Sequence, residues 1–214
     1  MTAASSNPAQ DHELVARMCG GDRAAFEELF KRYRSLVYRF ARQMSGSHDT
    51  ADDVTQDVFI ALMEQGARFD PSRASLRTYL YGMSRHLVLQ RFKRSAVRRE
   101  RSSGLLGEDD ARSPAVDSDP GADLDRRTAV ERLRRAVLAL PLRYREVVVL
   151  CDLNELTYEE AACVVGCPVG TVRSRLSRAR KVLAERCQAL AASRDDRARH
   201  TVAGRSVAVP SLES

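Results

Sequence analysis

The sequence predicts an all-α protein: two small helical domains joined by a flexible acidic linker, with a helix-turn-helix in the C-terminal domain. Apolar residues recur at three- and four-residue spacing along residues 11–101 and again along 126–190, which is the period of amphipathic helices. Residues 102–125 lack this period and are rich in Ser, Gly, Pro and Asp, a composition typical of a linker. No segment shows the alternation of polar and apolar residues that indicates a strand.

The composition is typical of small helical units and is compatible with binding to nucleic acid. The 214 residues suffice for one ordinary domain or two small ones. Aromatic residues make up only 6% of the chain and Trp is absent, which favours helical units over a sandwich or barrel. A net charge of +6 and a pI near 9.3 permit binding to nucleic acid or acidic membranes without requiring either.

The first residues and the cysteines predict a cytoplasmic protein. The start, MTAASSNPAQ, has neither the basic nor the apolar segment of a signal peptide. The longest aliphatic run, residues 147–151, is far shorter than the roughly 20 residues of a membrane helix, so we expect no membrane insertion. In the cytoplasm the cysteines are expected to be reduced, and an odd number argues against a closed disulfide framework. The five cysteines are Cys19, Cys151, Cys163, Cys167 and Cys187.

Four helices are predicted in the first domain, after a disordered segment at residues 1–10. Asp11 and Asp22 are expected N-caps of the first two helices, and Gly46 is expected to end the second. Asp49 is the expected N-cap of the third helix, which ends at Gly66. The fourth helix is expected from about residue 76 to beyond residue 91, with one apolar stripe facing the core.

The second domain is predicted to contain four further helices. The first is expected to end near Pro141, and the second covers about residues 144–152. Thr157 and Glu160 have the spacing of a capping box at the start of the third, and Val165-Gly166-Cys167-Pro168 separates it from the fourth. Residues 191–214 lack apolar periodicity and are predicted to be a disordered tail.

The last two helices form the predicted helix-turn-helix. Small residues on the third helix allow the fourth to cross it closely, and the apolar face of the fourth packs inward. Its other face is polar and basic, and it carries the candidate DNA-binding residues Thr171, Arg173, Ser174, Ser177, Arg178 and Lys181.

Charge segregation on this helix favours DNA binding over a simple solvated face. Six basic residues between 168 and 186 accompany one acid, Glu185. Arginine can donate two parallel hydrogen bonds to a guanine edge, and other basic groups neutralise phosphates. A charged face alone is usually only solvated. Here the turn, the small-residue face and the charge coincide, so we predict that the helix binds duplex DNA.

Two separate blocks of sequence resemble bacterial RNA polymerase sigma factors of the extracytoplasmic function (ECF) group. The block ALPLRYREVVVLCDLNELTYEEAACVVGCPVGTVRSRLSRARKVL is similar to their C-terminal DNA-binding domain. The other block, TADDVTQDVFIALME followed by FDPSRASLRTYLYGMSRHLVLQRFKR, resembles their other domain, and the two blocks stand in the family's order. The resemblance implies sigma region 2 at residues 11–101 and region 4 at residues 126–190, and places recognition of the −35 promoter element on the helix-turn-helix.

The third helix carries an acidic outer face. Acids near a helix N-terminus are stabilised by the helix dipole, so capping alone could explain some of them, though not an adjacent glutamine. The resemblance implies that this face docks on the coiled coil of the polymerase clamp. The candidate core-polymerase-binding residues are Asp49, Asp52, Asp53, Gln56 and Asp57.

In the fourth helix and the loop before it, basic residues alternate with aromatic ones. This composition suits single-stranded nucleic acid, because bases stack on aromatic faces while cations follow the backbone. Tyr79 and Phe69 are expected in the core and Tyr81 at the surface. The resemblance implies that this helix and the loop at 70–75 capture a flipped base of the −10 element. The candidate −10 residues are Arg73, Arg77, Tyr81, Arg85 and His86.

Three residues of this block depart from the family pattern. Tyr79 replaces a common tryptophan, His86 a common asparagine and Gln90 a common aspartate. These departures affect the expected −10 specificity rather than the general role. For the acidic linker, the family implies a path toward the RNA exit channel, and a plain tether explains its composition equally well.

The resulting prediction is a non-enzymatic initiation factor that needs no cofactor, metal or small-molecule substrate. The resemblance implies core RNA polymerase, promoter DNA and an anti-sigma factor as its partners. The main alternative is a stand-alone helix-turn-helix regulator with a helical sensing or dimerisation domain. A metal or redox sensor is a weaker alternative, because Cys163 and Cys167 lie on different elements without a second ligand pair.

Overall fold

The computed structural model describes residues 8–102 and 124–203, which form eight α-helices and no β-strand. The all-α prediction is therefore confirmed for these residues. Residues 1–7, 103–123 and 204–214, which hold parts of the predicted terminal segments and most of the predicted linker, lie outside them. The helices are α1 Pro8–Cys19, α2 Arg23–Ser45, α3 His48–Gln65, α4 Leu76–Ser102, α5 Leu124–Leu138, α6 Leu142–Val147, α7 Tyr158–Val165 and α8 Val169–Ala203.

The ends of α2 follow the predicted signals. The Asp22 side chain accepts hydrogen bonds from the backbone N–H groups of Ala24 and Ala25. At the other end Gly46 has a left-handed conformation, with φ of 77°, and its N–H donates to the Arg42 carbonyl. Asp22 and Gly46 are confirmed as the N-cap and the C-cap of this helix.

Two predicted caps are wrong. Ser47, two residues before Asp49, caps α3 by accepting a hydrogen bond from the Thr50 N–H. Asp11 lies inside α1, which begins at Pro8. The Asp11 carboxylate is buried and accepts hydrogen bonds from the Tyr33 hydroxyl at 2.5 Å and from the Arg32 guanidinium at 2.8 Å. Asp11 therefore links α1 to α2 through side-chain hydrogen bonds, a tertiary contact that the spacing of residues within α1 does not indicate.

The N-terminal unit packs α1, α3 and α4 around the long helix α2. Its apolar stripes meet as the periodicity indicates, with fully buried side chains from all three of the larger helices. These include Leu29, Val37, Phe40 and Met44 of α2, Val54, Val58 and Leu62 of α3, and Leu76, Leu80 and Val88 of α4. A short 3₁₀ turn, Gly66–Arg68, leads from α3 into the loop before α4.

The C-terminal unit differs from the prediction at two boundaries. The helix expected over 144–152 is α-helical only as far as Val147 and continues as a π-helical turn, Val148–Leu153. The side chains of Val148, Val149 and Leu150 are buried in this turn. The predicted apolar residues therefore still face the core, although the backbone is wound as a π-helix. The last helix continues beyond Leu190, its expected end, to Ala203. The added residues are rich in Ala and Arg, which favour helix even without an apolar stripe.

The two units are packed against each other, and Arg145 of α6 is central to their contact. Its guanidinium donates to the carbonyl of Met44 near the end of α2, at 2.9 Å, and to the carbonyls of Leu138, the last residue of α5, and Leu140, which follows α5. Arg145 is only 3% exposed. Burial lowers its pKa to about 10, still well above neutral, so the side chain remains charged.

Gly46 also lies at this contact. A Cβ atom at Gly46 would come within 2.9 Å of a methyl group of Leu138 in α5. The Gly46 carbonyl accepts hydrogen bonds from the side chains of Arg42 and of Arg134 in α5. The glycine thus ends α2 and allows the C-terminal unit to approach closely.

Candidate nucleic-acid and polymerase interfaces

The helix-turn-helix consists of α7, a tight turn and the first part of α8. The Thr157 hydroxyl accepts a hydrogen bond from the Glu160 N–H at 3.1 Å, and the Glu160 carboxylate accepts one from the Thr157 N–H at 2.9 Å. The predicted capping box is confirmed. Gly166 ends α7 in a left-handed conformation with φ of 73°, and its N–H donates to the Ala162 carbonyl. These local signals fix the angle at which α8 leaves the turn.

The inner face of α8 holds it against α7. Val172, Leu176 and Ala179 are buried there, as the sequence predicts. They belong to the same apolar cluster as Ala161 and Ala162 of α7, whose small side chains permit the close crossing. The orientation of α8 about its own axis is therefore set by core packing.

This packing leaves the predicted DNA-binding residues facing outward. Thr171 is half-buried, and the other five are exposed: Arg173, Ser174, Ser177, Arg178 and Lys181. The Arg173 guanidinium stacks over the Tyr158 ring of α7, with its Cζ atom 5.6 Å from the ring centre. Arg180 instead forms an ion pair with Asp152, at 2.6 Å, and this hydrogen bond raises its pKa. Within the part of the chain that the structure describes, Arg173 and Arg178 form no ion pair, so their donors remain available to DNA.

The acidic face of α3 is also at the surface, but part of it is already neutralised. Asp49, Asp52, Asp53 and Gln56 are exposed and Asp57 is half-buried. Arg91 of α4 donates to the carboxylates of Asp53, at 2.8 Å, and Asp57, at 2.6 Å. Local sequence patterns do not reveal this bridge, because Arg91 is 38 and 34 residues from the two aspartates along the chain.

An apolar groove between α2 and α3 adjoins the acidic face. Ile60 and Met63 of α3 are 39% and 46% exposed at its edge, although both are large and apolar. The sequence indicates this apolar surface, because Ile60 and Met63 are large apolar residues that lie outside the inward-facing stripe of α3. The groove is lined by Phe26, Phe30, Tyr38, Asp52, Gln56, Phe59, Ile60 and Met63, among others.

The candidate −10 residues do not share one environment. Arg73, in the loop before α4, and His86 are exposed, whereas Arg77 and Arg85 are half-buried. Tyr79 packs beside Phe69, with ring centres 5.4 Å apart, as expected. A cavity beside α4 brings Arg73, Tyr79, His86 and Gln90 together with Cys163 and Val164 of α7.

Tyr81 is not at the surface, and the expectation that it stacks on bases from an exposed position is wrong for this conformation. It is 1% exposed and its ring makes an edge contact with Phe40 of α2, with 5.3 Å between ring centres. Burial raises the pKa of its hydroxyl. The prediction assumed that α4 packs along one stripe, but α4 is covered by both α2 and the C-terminal unit.

The cysteines whose side chains are described form no disulfide and are predicted to differ in reactivity. Cys19 and Cys163 are exposed, whereas Cys151 and Cys167 are half-buried. Burial and the nearby Asp152 raise the pKa of Cys151 to about 11, so its thiolate fraction at neutral pH is small.

We expect iodoacetamide at pH 7.5 to alkylate Cys163 at least tenfold faster than Cys151, measured by peptide mass spectrometry. Equal rates would show that Cys151 is not protected by the fold.

Within residues 8–102 and 124–203, no group of three or more His, Cys, Asp or Glu side chains is arranged to hold a metal ion. No described helix is both long enough and apolar enough to cross a membrane.

Comparison with protein families identifies the two units. A model of sigma-70 region 2 matches residues 29–98, and a model of sigma-70 region 4 matches residues 130–183. A region 2 unit followed by a region 4 helix-turn-helix defines an RNA polymerase sigma factor of the sigma-70 class. The order of the units agrees with the two resembling blocks of the sequence.

Curated relatives narrow the class. The chain is 33% identical to the ECF RNA polymerase sigma factor SigC of Mycobacterium tuberculosis over 187 residues, which cover 86% of this chain and 94% of SigC. It is 34% identical to SigE of Mycolicibacterium smegmatis over 167 residues, covering 76% of this chain and 63% of SigE. The chain belongs to the ECF family of RNA polymerase sigma factors. The predicted family and its function, promoter-specific transcription initiation, are confirmed in preference to a stand-alone regulator.

Solved structures agree with this assignment. The sigma factor RpoE from Bartonella quintana, in complex with the anti-sigma factor NepR, superposes with a TM-score of 0.63 at 26% identity, covering 76% of this chain and 96% of RpoE. CnrH in complex with the cytosolic domain of CnrY gives a TM-score of 0.62 at 26% identity, covering 84% of this chain and 98% of CnrH.

Proposed function

We propose that this sigma factor divides promoter recognition between its two units: the helix-turn-helix binds the −35 element as duplex, and the N-terminal unit binds the −10 element as separated strand. The observation that carries the first part is the exposed basic face of α8, whose orientation is fixed by the buried Val172, Leu176 and Ala179. Arg173 and Arg178 on that face can donate bidentate hydrogen bonds to guanine edges. Thr171, Ser174, Ser177 and Lys181 complete the contacts to bases and phosphates.

The −10 strand is assigned to the loop at 70–75 and the adjoining face of α4. Arg73, Arg77 and Arg85 supply positive charge along this surface, and His86 lies beside the cavity that Tyr79 lines. Cations along a groove hold the phosphates, and the cavity accepts an unstacked base only after the duplex has opened. Promoter melting then follows from preferential binding of the opened form.

Core RNA polymerase is assigned to the acidic face of α3 together with the apolar groove beside it. Asp49, Asp52 and Gln56 are available as hydrogen-bond partners, while Ile60 and Met63 offer apolar area that water solvates poorly. A surface with an apolar centre and a polar edge is typical of a protein interface. An anti-sigma factor that covered this surface would compete with the polymerase.

The remaining assignments follow from these. Region 2 is assigned to residues 11–101 and region 4 to residues 126–190, with 102–125 as the tether between them. The protein acts in the cytoplasm, where the polymerase and promoters are, and it catalyses no reaction of its own.

Transcription in vitro over a promoter library tests the proposal. Purified bacterial core polymerase with this chain should initiate at a small set of promoters that share two spaced elements, whereas core alone should not. The chain alone should bind the same promoters weakly. Absence of specific starts above core alone, or tight specific binding by the chain without polymerase, would refute the assignment.

A further inference from the structure

Tyr158 lies beneath one of the arginines assigned to the −35 element. It is the first residue of α7, directly after Thr157, whose capping box with Glu160 fixes the start of the helix. The Tyr158 side chain is half-buried and packs against the apolar core. The Arg173 Cζ atom lies 5.6 Å from the centre of its ring, within the range of a cation–π contact. The helix-turn-helix therefore holds an aromatic ring beside a candidate DNA-reading side chain.

The exposed arginines of α8 differ in what they contact. Arg180 donates to the Asp152 carboxylate from Nε at 3.1 Å and from Nη2 at 2.6 Å, so these donors are already used. Arg173 keeps its donors, because a ring attracts the guanidinium charge without taking up its N–H groups as a carboxylate does. Within residues 8–102 and 124–203, Arg178 has neither an ion pair nor an aromatic ring beneath it.

An arginine that is held before DNA arrives loses less freedom on binding. A long side chain gives up rotamer entropy when it binds, and a contact made beforehand removes part of that cost. We propose that Tyr158 is a positioning residue for −35 recognition, which holds the Arg173 guanidinium in place for a base edge. This inference rests on the proposed assignment of Arg173 to the −35 element. Tyr158 then contributes to base preference without touching the base itself.

Two simpler roles of Tyr158 would have different effects on DNA binding. A ring that only fills the core stabilises the helix-turn-helix and supports binding to every DNA sequence equally. A hydroxyl that binds a phosphate also acts on every sequence, because phosphate contacts carry no sequence information. A positioning role acts only at the base pair that Arg173 reads. Base preference at single positions therefore distinguishes the three roles.

Tyr158→Leu removes the ring but keeps an apolar side chain. The measurement is transcription by core polymerase with the full chain, over −35 elements substituted at each position in turn. Tyr158→Leu should lower base preference about fivefold, equivalent to about 1 kcal/mol, only at the position where Arg173→Ala also lowers it. Added to Arg173→Ala, it should cause no further loss, because its effect passes through Arg173. Tyr158→Phe keeps the ring and should retain the preference within about twofold.

Tyr144→Leu is the matched control. Tyr144 is also half-buried against the core, and the Arg143 guanidinium lies over its ring at 5.0 Å, but in α6 rather than in the helix-turn-helix. This substitution should leave every −35 preference unchanged. Equal losses at all positions for Tyr158→Leu, or losses that add to those of Arg173→Ala, would show a structural role only and overturn the proposal. Weaker binding to every sequence by Tyr158→Phe would overturn it in favour of a phosphate contact through the hydroxyl.

Nitrogen-15 relaxation of arginine side chains tests the holding of Arg173 without DNA and without a variant. The Nε–H order parameter of Arg173 in the free chain should exceed that of Arg178, because only Arg173 rests on a ring. Equal order parameters would overturn the positioning role, even if Tyr158→Leu failed to fold, and would leave the −35 assignment standing. If Arg173→Ala changes base preference at no position, the −35 assignment of Arg173 fails and the positioning role fails with it.

Discussion

Replacing Arg173 and Arg178 together by alanine is expected to reduce promoter-specific transcription by at least about thirtyfold. Each bidentate arginine–guanine contact contributes about 1–3 kcal/mol, and 1.4 kcal/mol corresponds to a factor of ten. Both side chains are exposed, so the fold should be unaffected apart from the contact of Arg173 with the Tyr158 ring. The measurement is the yield of transcripts from a responsive promoter with saturating core polymerase.

The matched control for this experiment is Arg23→Ala. Arg23 is also exposed and is held only by an i,i+4 ion pair with Glu27, which contributes little to stability. Its removal should leave transcript yield within about twofold of wild type. If the double variant transcribes as well as Arg23→Ala, the basic face of α8 does not bind the −35 element. Unchanged affinity for core polymerase would place the defect in DNA recognition.

Replacing Arg145 by methionine is expected to lower the free energy of unfolding by about 2–5 kcal/mol. Methionine keeps much of the apolar stem but leaves the carbonyls of Met44, Leu138 and Leu140 without their common donor. An unsatisfied buried polar group costs about 1–3 kcal/mol, and removal of the buried charge offsets part of the total. Urea unfolding followed by circular dichroism measures the change.

Arg143→Met separates the loss of these hydrogen bonds from the change of residue type. Arg143 lies in the same helix but is exposed, with its guanidinium over the Tyr144 ring. The Arg143→Met substitution should lower the free energy of unfolding by less than about 1 kcal/mol, as is usual for surface substitutions. Equal midpoints for the two variants would mean that the carbonyls find other partners when Arg145 is absent.

Local patterns predicted most of the helices and the whole helix-turn-helix. Asp22, Gly46, Thr157 and Gly166 act at helix ends as their residue types indicate, because caps depend on only a few neighbouring backbone groups. The outward face of α8 was also predictable, since a face without apolar residues has no reason to be buried. The exposure of the acidic face of α3 was predictable for the same reason.

Contacts between distant parts of the chain were not predictable in this way. Asp11 has the residue type and spacing of a cap, yet its carboxylate binds Tyr33 and Arg32 on the next helix. Tyr81 lies outside the main apolar stripe of α4, and only a second packing partner buries it. Arg145 and Glu146 are charged in sequence and buried in structure because their partners come from other elements. Periodicity identifies one buried face of a helix, but not a second face covered by another unit.

The bridge from Arg91 to Asp53 and Asp57 has a consequence for how the sigma factor responds to ionic strength. One guanidinium balances part of the negative charge of two carboxylates, so the α3 surface presents less charge than its four aspartates suggest. Charge compensated inside the domain releases few counterions when a partner arrives. Attachment to the polymerase through this surface and its apolar neighbour should therefore tolerate rising salt, while contacts of α8 with DNA phosphates weaken steeply.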